Sequence, residues 1–339
     1  MAADRRPRVL APLGRDEEFY APTRVELEKA GAELVLRPYR TAEELLPLAK
    51  DVDALYQSSV TFNRELLSQL PNLKVICARG IGFDNFDVDA ATELGIVVVN
   101  LPRVFHREVA AHTMALLLTM IRQIVPLNAA MHARANNPSQ PLHTAGSRPR
   151  QHIFGQTLGL IAFGNIARVV ATMARGFEMR ILAYDPFVKQ EVADQYGVKL
   201  VSLEELLRES DFVSMHTPLM KNTFHLMGEE QFRQMKPTAY IVNTSRGRTI
   251  DEVALIKALR EGWIAGAGLD VTETEPPDVD NPLLTMGNVI LTPHIASASD
   301  LEHVERARWM GIEVGRVLNG QWPIHGLVNK GVKPRIPIS

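Results

Sequence analysis

The sequence has almost no cysteine: Cys77 is the only one in 339 residues. One thiol cannot build an internal disulfide framework, so a reducing compartment is expected. Charge of one sign is lacking too. The formal net charge is −2, which leaves no basic footprint for nucleic acid. Long apolar runs are also missing. The longest, 110–121, is interrupted by His112, Thr113 and Thr119 and is too short to span a bilayer. The opening stretch, MAADRRPRVL, has no apolar signal core. There is no internal repeat and no low-complexity segment. These absences point to a cytoplasmic protein whose partners are neither nucleic acid nor membrane. What remains is 46% hydrophobic and 22% charged, a globular composition with length for two domains.

Short apolar runs alternate with stretches of helical period. Strands are expected at 8–13, 33–37, 54–57, 74–78 and 96–99, with helices at 23–30, 42–49, 63–70 and 88–94. This alternation predicts a parallel sheet covered on both faces. Pro102 marks a hinge. Residues 108–123 read as a long buried helix and 125–134 as a second helical piece. Residues 136–150, rich in Asn, Pro, Ser and Gly, read as an exposed loop or arm. Further strands are expected at 199–201, 212–216, 239–243, 264–269 and 289–291. The helix at 202–209 opens on Ser202 as cap, with Glu205 completing a capping box. Asp251 caps a helix running to Arg260, and a final helix covers 299–318.

The most informative stretch is TLGLIAFGNIARVVATMARGFEMRILAYDP, Thr157 to Pro186. An apolar strand, a turn at Gly164, an apolar helical stripe (Ile166, Val169, Val170, Met173, Phe177), a second strand and then Asp185 make a dinucleotide-binding βαβ unit. The turn lets backbone N–H groups approach a pyrophosphate, and the helix N-terminus attracts its charge. Asp185 accepts hydrogen bonds from both ribose hydroxyls and repels a 2′-phosphate, which points to NAD rather than NADP. The glycine frame falls on Ala162, Gly164 and Ala167, so only the middle glycine is kept. Ala162 must then fit the turn without a positive φ.

In open α/β sheets, ligands bind beyond the carboxyl ends of the strands. Arg246 follows the strand AYIVN, Glu275 follows the strand ending at Asp270, and His294 follows VILTP. This trio suits hydride transfer to a 2-oxo acid. The Arg binds the carboxylate and polarises the carbonyl. The His donates the proton, and the carboxylate orients the imidazole and favours its charged form. Any one of them alone reads as a surface ion pair or cap.

At these residues the chain resembles the D-isomer-specific 2-hydroxyacid dehydrogenases along nearly its whole length. The matching blocks are ARGIGFDNFDVDAATELGI, EVAAHTMALLL, TLGLIAFGNIAR, HTPLMKNTFHLM, NTSRGRTID, GAGLDVTETEP and LTPHIAS. The resemblance implies an α/β chain of two doubly wound parallel-sheet domains. A Rossmann NAD domain, 102–295, is inserted into a flavodoxin-like substrate domain made of 1–101 and 296–339. It implies Arg246, Glu275 and His294 as the catalytic set, with Glu275 preferred to Glu273 because it stands just before the proline. It places Gly164, Asn165 and Ile166 at the pyrophosphate and Asp185 at the ribose. Thr217, Pro218 and Thr223 fall beside the adenosine. Thr244 and Asp270 fall on the nicotinamide side, where Arg246 and His294 also count as cofactor contacts. Arg79, Gly80, Ile81 and Gly82 form the loop whose backbone N–H groups hold the substrate carboxylate from the other domain. Thr113 lines the cofactor or, equally, makes an i−4 backbone bond in a buried helix. A homodimer through the NAD domain, using about 104–150, is implied as well.

His106, His112, His132, His143 and His152 have no common ligand spacing, and no metal site is expected. His216 reads as support for the cofactor wall. A second reading is a nucleotide-binding protein of the C-terminal-binding-protein corepressor type. That branch shares the Arg–Glu–His set but carries a Trp shortly after the His, where this chain has Ser297, and it has a long polar tail that this sequence lacks.

Overall fold

The computed structural model describes residues 5–13, 17–137 and 151–339. The chain divides into two compact units, Met1–Phe105 with Ala298–Ser339, and His106–Ser297. The first opens with strands β1 (Arg8–Pro12), β2 (Glu33–Arg37), β3 (Ala54–Tyr56), β4 (Val75–Cys77) and β5 (Val97–Val99), and with helices α1 (Ala21–Lys29), α2 (Ala42–Ala49), α3 (Arg64–Ser68) and α4 (Val88–Glu93). The strands pair in parallel in the order β2-β1-β3-β4-β5. Their residues are nearly all buried, as expected where helices cover both faces. Helices α2, α3 and α4 start where the sequence supplies a side-chain acceptor, whereas α1 has none. Thr41, Asn63 and Asp87 take the N–H groups of Glu44, Leu66 and Ala90 at 3.3, 3.0 and 2.9 Å.

The second unit holds α5 (His106–Arg122), α6 (Ile124–Ala133), β6 (Thr157–Ile161), α7 (Asn165–Arg175), β7 (Arg180–Tyr184), α8 (Gln190–Asp194), β8 (Lys199–Leu200), α9 (Leu203–Glu209), β9 (Phe212–Met215), α10 (Glu229–Gln234), β10 (Tyr240–Asn243), α11 (Glu252–Glu261), β11 (Gly266–Leu269) and β12 (Val289–Leu291). Its seven strands are parallel in the order β12-β11-β10-β9-β6-β7-β8. Connections therefore run one way from β6 to β7 and the other way to β9, and the turn after β6 lies at the switch point. Among the described residues no single helix is long and apolar enough to cross a membrane. The bent pair α5–α6 meets that test by length and composition, but α5 is a core helix that packs on α7, β10 and β11, with Leu117 and Ile121 buried.

The chain then returns to the first unit with α12 (Glu302–Leu318), which packs on α1. The approach requires Gly311, because a Cβ there would stand 2.8 Å from the carbonyl oxygen of Thr23. The tail covers the β5 edge. The Asn329 side chain accepts from Val98 N–H at 2.8 Å and donates to Ile96 O at 2.9 Å, doing the work of a neighbouring strand.

Several local expectations are corrected. Helices α8 and α10 were not foreseen. Phe177 lies beyond the end of α7, and the face that α7 buries is Ala167, Val170, Ala171 and Ala174; Ile166, Val169 and Met173 are half-buried at its flanks. Small residues bring this helix close to the sheet and to α5. Ser202 caps α9 through Glu205 N–H at 3.1 Å, but the Glu205 carboxylate turns to Lys199 at 2.9 Å. The expected arm at 136–150 lies almost wholly outside the described residues, as does His143.

Candidate active site

The turn after β6 differs from expectation at Ala162, which has φ 70. A left-handed alanine costs about 1–2 kcal/mol. Two hydrogen bonds hold it there: Ala162 N–H to Tyr184 O at 2.8 Å, and Phe163 N–H to Asp185 Oδ2 at 2.8 Å. Asp185 Oδ1 takes Phe187 N–H, also at 2.8 Å. The half-buried acid is thus fixed at the β7 terminus with a lone pair left on each oxygen. Gly164 stands at the N-cap of α7 in extended conformation and gives the helix no side-chain cap. A Cβ on Gly164 would meet no atom within 4 Å, so the surface over the turn is open to a phosphate. Thr217 Oγ1, beyond β9, is buried without a hydrogen-bond partner. Thr223 Oγ1 donates to Pro218 O at 2.6 Å and accepts from Met220 N–H at 2.7 Å, stitching the loop that carries Thr217 and Pro218. An open helix terminus, a fixed acid and an orphaned hydroxyl fit a dinucleotide. His216 bonds Ser214 at 2.9 Å, and burial pushes its imidazole well below the ordinary histidine range.

Beyond β10, buried Asn243 shapes the arginine turn. Its side-chain oxygen accepts from Ser245 N–H at 2.9 Å and its amide donates to Arg246 O at 2.9 Å. Gly247 is required next, because a Cβ there would overlap the carbonyl oxygen of Thr272. The close approach sets Arg246 against the β11 loop that leads to Glu275. His294 Nδ1 lies 2.7 Å from Glu275 Oε2. Glu273 turns elsewhere, to His225 Nε2 at 2.9 Å. The bond to Glu275 raises the His294 pKa, opposed by burial and by the Arg246 charge.

His294 has φ 54, rare for a residue other than glycine. Asp270, 1% exposed, secures this conformation. Its carboxylate accepts from Ile295 N–H at 3.0 Å, Ala296 N–H at 2.8 Å and Thr292 Oγ1 at 2.6 Å. His112 Nε2 stands 2.9 Å from Thr292 Oγ1 and 3.6 Å from Asp270 Oδ1. On the same helix Thr113 makes the i−4 bond, to Val109 O at 2.8 Å, and also meets Thr244 Oγ1 at 2.8 Å. Asn243 and Thr292 were not singled out from the sequence, and His112 was read only as one of several histidines without ligand spacing. An Asn closing a strand before Thr-Ser-Arg is a turn signal that could have found the first. The other two depend on tertiary contact.

In the first unit, the loop at Arg79–Gly82 is held by two of its carbonyls and by the Arg79 N–H, which is thereby engaged within the unit rather than offered to a substrate carboxylate as expected. Leu101 N–H donates to Gly80 O at 2.9 Å, Asn100 Nδ2 to Ile81 O at 2.8 Å, and Gln57 Oε1 takes Arg79 N–H at 3.0 Å.

The sequence model described as "D-isomer specific 2-hydroxyacid dehydrogenase, NAD binding domain" matches residues 114–296. The chain is 40% identical over 295 residues to a glyoxylate reductase of Korarchaeum cryptofilum, covering 86% of this chain and 88% of that protein. Among solved structures it is similar to the Aquifex aeolicus D-lactate dehydrogenase complexed with NAD and lactic acid, with TM-score 0.74 and 31% identity over 91% of this chain and 93% of that one. It is similar too to an NADPH-dependent glyoxylate/hydroxypyruvate reductase of Sinorhizobium meliloti in complex with NADP and malonate, with TM-score 0.82 and 26% identity over 98% and 100% of the two chains. The chain belongs to the D-isomer-specific 2-hydroxyacid dehydrogenase family, nicotinamide-dependent oxidoreductases of 2-hydroxy and 2-oxo acids.

Proposed function

We propose that this chain interconverts 2-oxo acids and D-2-hydroxy acids with NAD(H), the second unit holding the cofactor and the first the substrate carboxylate. The observation that carries this reading is the 2.7 Å bond from His294 Nδ1 to Glu275. It occupies one ring nitrogen and leaves Nε2 to face a substrate. NADH, when bound, would supply the hydride for the oxo carbon. His294 Nε2 donates the proton that turns the developing alkoxide into a hydroxyl, and in the oxidative direction takes it back. Glu275 keeps the imidazole oriented and favours its protonated form. Arg246 binds the carboxylate and polarises the carbonyl. The backbone N–H groups of Gly80, Ile81 and Gly82 are assigned to holding the substrate carboxylate.

Gly164, Asn165 and Ile166 would hold the pyrophosphate, Asp185 the adenosine ribose, and Thr217, Pro218 and Thr223 the adenosine wall. Thr244 and Asp270 would border the nicotinamide, with Thr113 acting through Thr244. Asp185 favours NAD, because its charge would repel a 2′-phosphate. NADH consumption with a panel of 2-oxo acids tests the assignment, and a protein that binds NADH but reduces none of them would contradict it. The corepressor-type reading is the weaker one, since the relatives bear reductase and dehydrogenase names and Ser297 stands in place of the Trp.

We also infer a homodimer built on α5, α6 and the segment after them. Ile124, Val125 and Met131 on α6 are 52%, 53% and 57% exposed, apolar side chains that a second copy of the chain would cover. Sedimentation showing only monomer at micromolar concentration would refute it.

A further inference from the structure

Two arginines of the first unit stand close together around an unfilled need for an acceptor. Arg79, at the end of β4, lies with its guanidinium carbon 5.1 Å from the Phe19 ring and 5.9 Å from the Tyr20 ring. Arg306, on α12, lies 5.5 Å from the ring of buried Phe105, and that ring in turn packs beside Gly80, where an added Cβ would be 3.5 Å from it. The Nε–H groups of both arginines are buried and donate to nothing. Glu302 pairs with Arg306. Among the described residues no carboxylate pairs with Arg79. The cluster therefore carries two cations against one anion. Burial and the neighbouring Arg79 charge push the Arg306 pKa down to about 10. Tyr39 adds a buried hydroxyl that has the Ser58 side chain beside it but no hydrogen bond of good geometry.

Such a group is costly as it stands. Buried N–H donors without acceptors and like charges in an aromatic enclosure both disfavour the arrangement. Packing alone does not call for it, since leucine or methionine would fill the same space at lower cost. Both penalties are relieved by an anion that accepts from the two guanidinium groups, and the planar fork of arginine suits a carboxylate or a phosphate. An apolar substrate side chain would leave the donors unmet.

We propose that Arg79 and Arg306 form an anion subsite for a second acidic group on the substrate, so that 2-oxo acids bearing a distal carboxylate or phosphate are the preferred class. The proposal rests on the reading of the chain as a 2-oxo acid reductase. It extends that reading, because the loop at Gly80–Gly82 is assigned to the carboxylate common to every 2-oxo acid. Arg79 is the residue just before it, so one substrate can engage the loop with one end and the arginines with the other.

The test compares matched pairs in NADH-dependent reduction by the whole protein: 2-oxoglutarate against 2-oxopentanoate, oxaloacetate against 2-oxobutanoate, and 3-phosphooxypyruvate against 3-hydroxypyruvate. The acidic member of at least one pair should have a kcat/KM higher by about tenfold or more. An advantage confined to the first two pairs identifies a carboxylate, and one confined to the third identifies a phosphate. Arg306→Met and Arg79→Met should each bring the ratio toward one, and Arg306→Lys should retain part of it. Raised ionic strength should lower the wild-type ratio, a readout that holds even if a variant fails to fold. Ratios near one in all three pairs, with the neutral acids reduced, overturn the subsite and leave the reductase reading intact. Ratios unchanged in both methionine variants also overturn it. NADH binding with no reduction of any of the six acids overturns the reductase reading and the subsite together.

Discussion

The backbone N–H of His294 donates to the carbonyl oxygen of Asp270 at 2.8 Å, while the Asp270 carboxylate takes the N–H groups of the next two residues. One buried acid at the end of β11 thus holds the loop after β12 in the left-handed turn that presents the imidazole. Asp270→Asn removes one of these acceptors and puts a donor in its place. It should destabilise the fold by about 1–3 kcal/mol and lower kcat on the order of 10²-fold through misplacement of His294. Thermal unfolding and steady-state kinetics on the same preparation check both. A variant of unchanged kcat would show that the turn holds without the acid.

At the cofactor turn, Ala162→Gly should relieve the left-handed strain of about 1–2 kcal/mol at a chain-entropy cost of about 0.4–1 kcal/mol. The net effect should be a small rise in stability, measurable in a denaturant titration. If Asp185 holds the ribose as proposed, a preference for NADH over NADPH should be unaltered by this change. That preference itself is expected to be large, and comparable efficiencies with NADH and NADPH would remove Asp185 as its cause.

The bond from Glu275 raises the His294 pKa, and reduction by the proposed mechanism needs the protonated imidazole. Reduction should therefore persist above the ordinary histidine range, near 6.5, and fall as pH rises through the raised pKa. Glu275→Gln takes away the charge that favours the cation. The fall-off should move to lower pH, and the oxidative direction, which needs the neutral ring, should turn on at lower pH as well. The pH profiles of kcat/KM in both directions measure the shift. An unmoved profile would mean that Glu275 does not set the protonation of His294.

Much of this architecture was legible because its signals are local. Apolar runs such as Thr157–Ile161 and Phe212–Met215, separated by helical stripes, leave little choice but a covered parallel sheet, and the caps at Asp251 and Ser202 mark helix starts by chemistry that acts over three residues. Helices α8 and α10, of 5 and 6 residues, are too short to establish a periodic pattern. The buried face of α7 escaped because its residues are mostly alanine, which packs closely but reads weakly as hydrophobic. The positive φ values at Ala162 and His294 were not legible, since each is imposed by hydrogen bonds from a neighbouring strand end, Asp185 in one case and Asp270 in the other. His112 is separated from Thr292 by 180 positions, and nothing in either local sequence signals that they meet.

The most direct test is His294→Ala, assayed for NADH binding by fluorescence and for turnover of the best 2-oxo acid. Binding of NADH should remain close to wild type while kcat for reduction falls by about 10²–10⁴-fold, the usual loss on removing a general acid. Near-normal reduction by the alanine variant would contradict the assignment of His294 as proton donor.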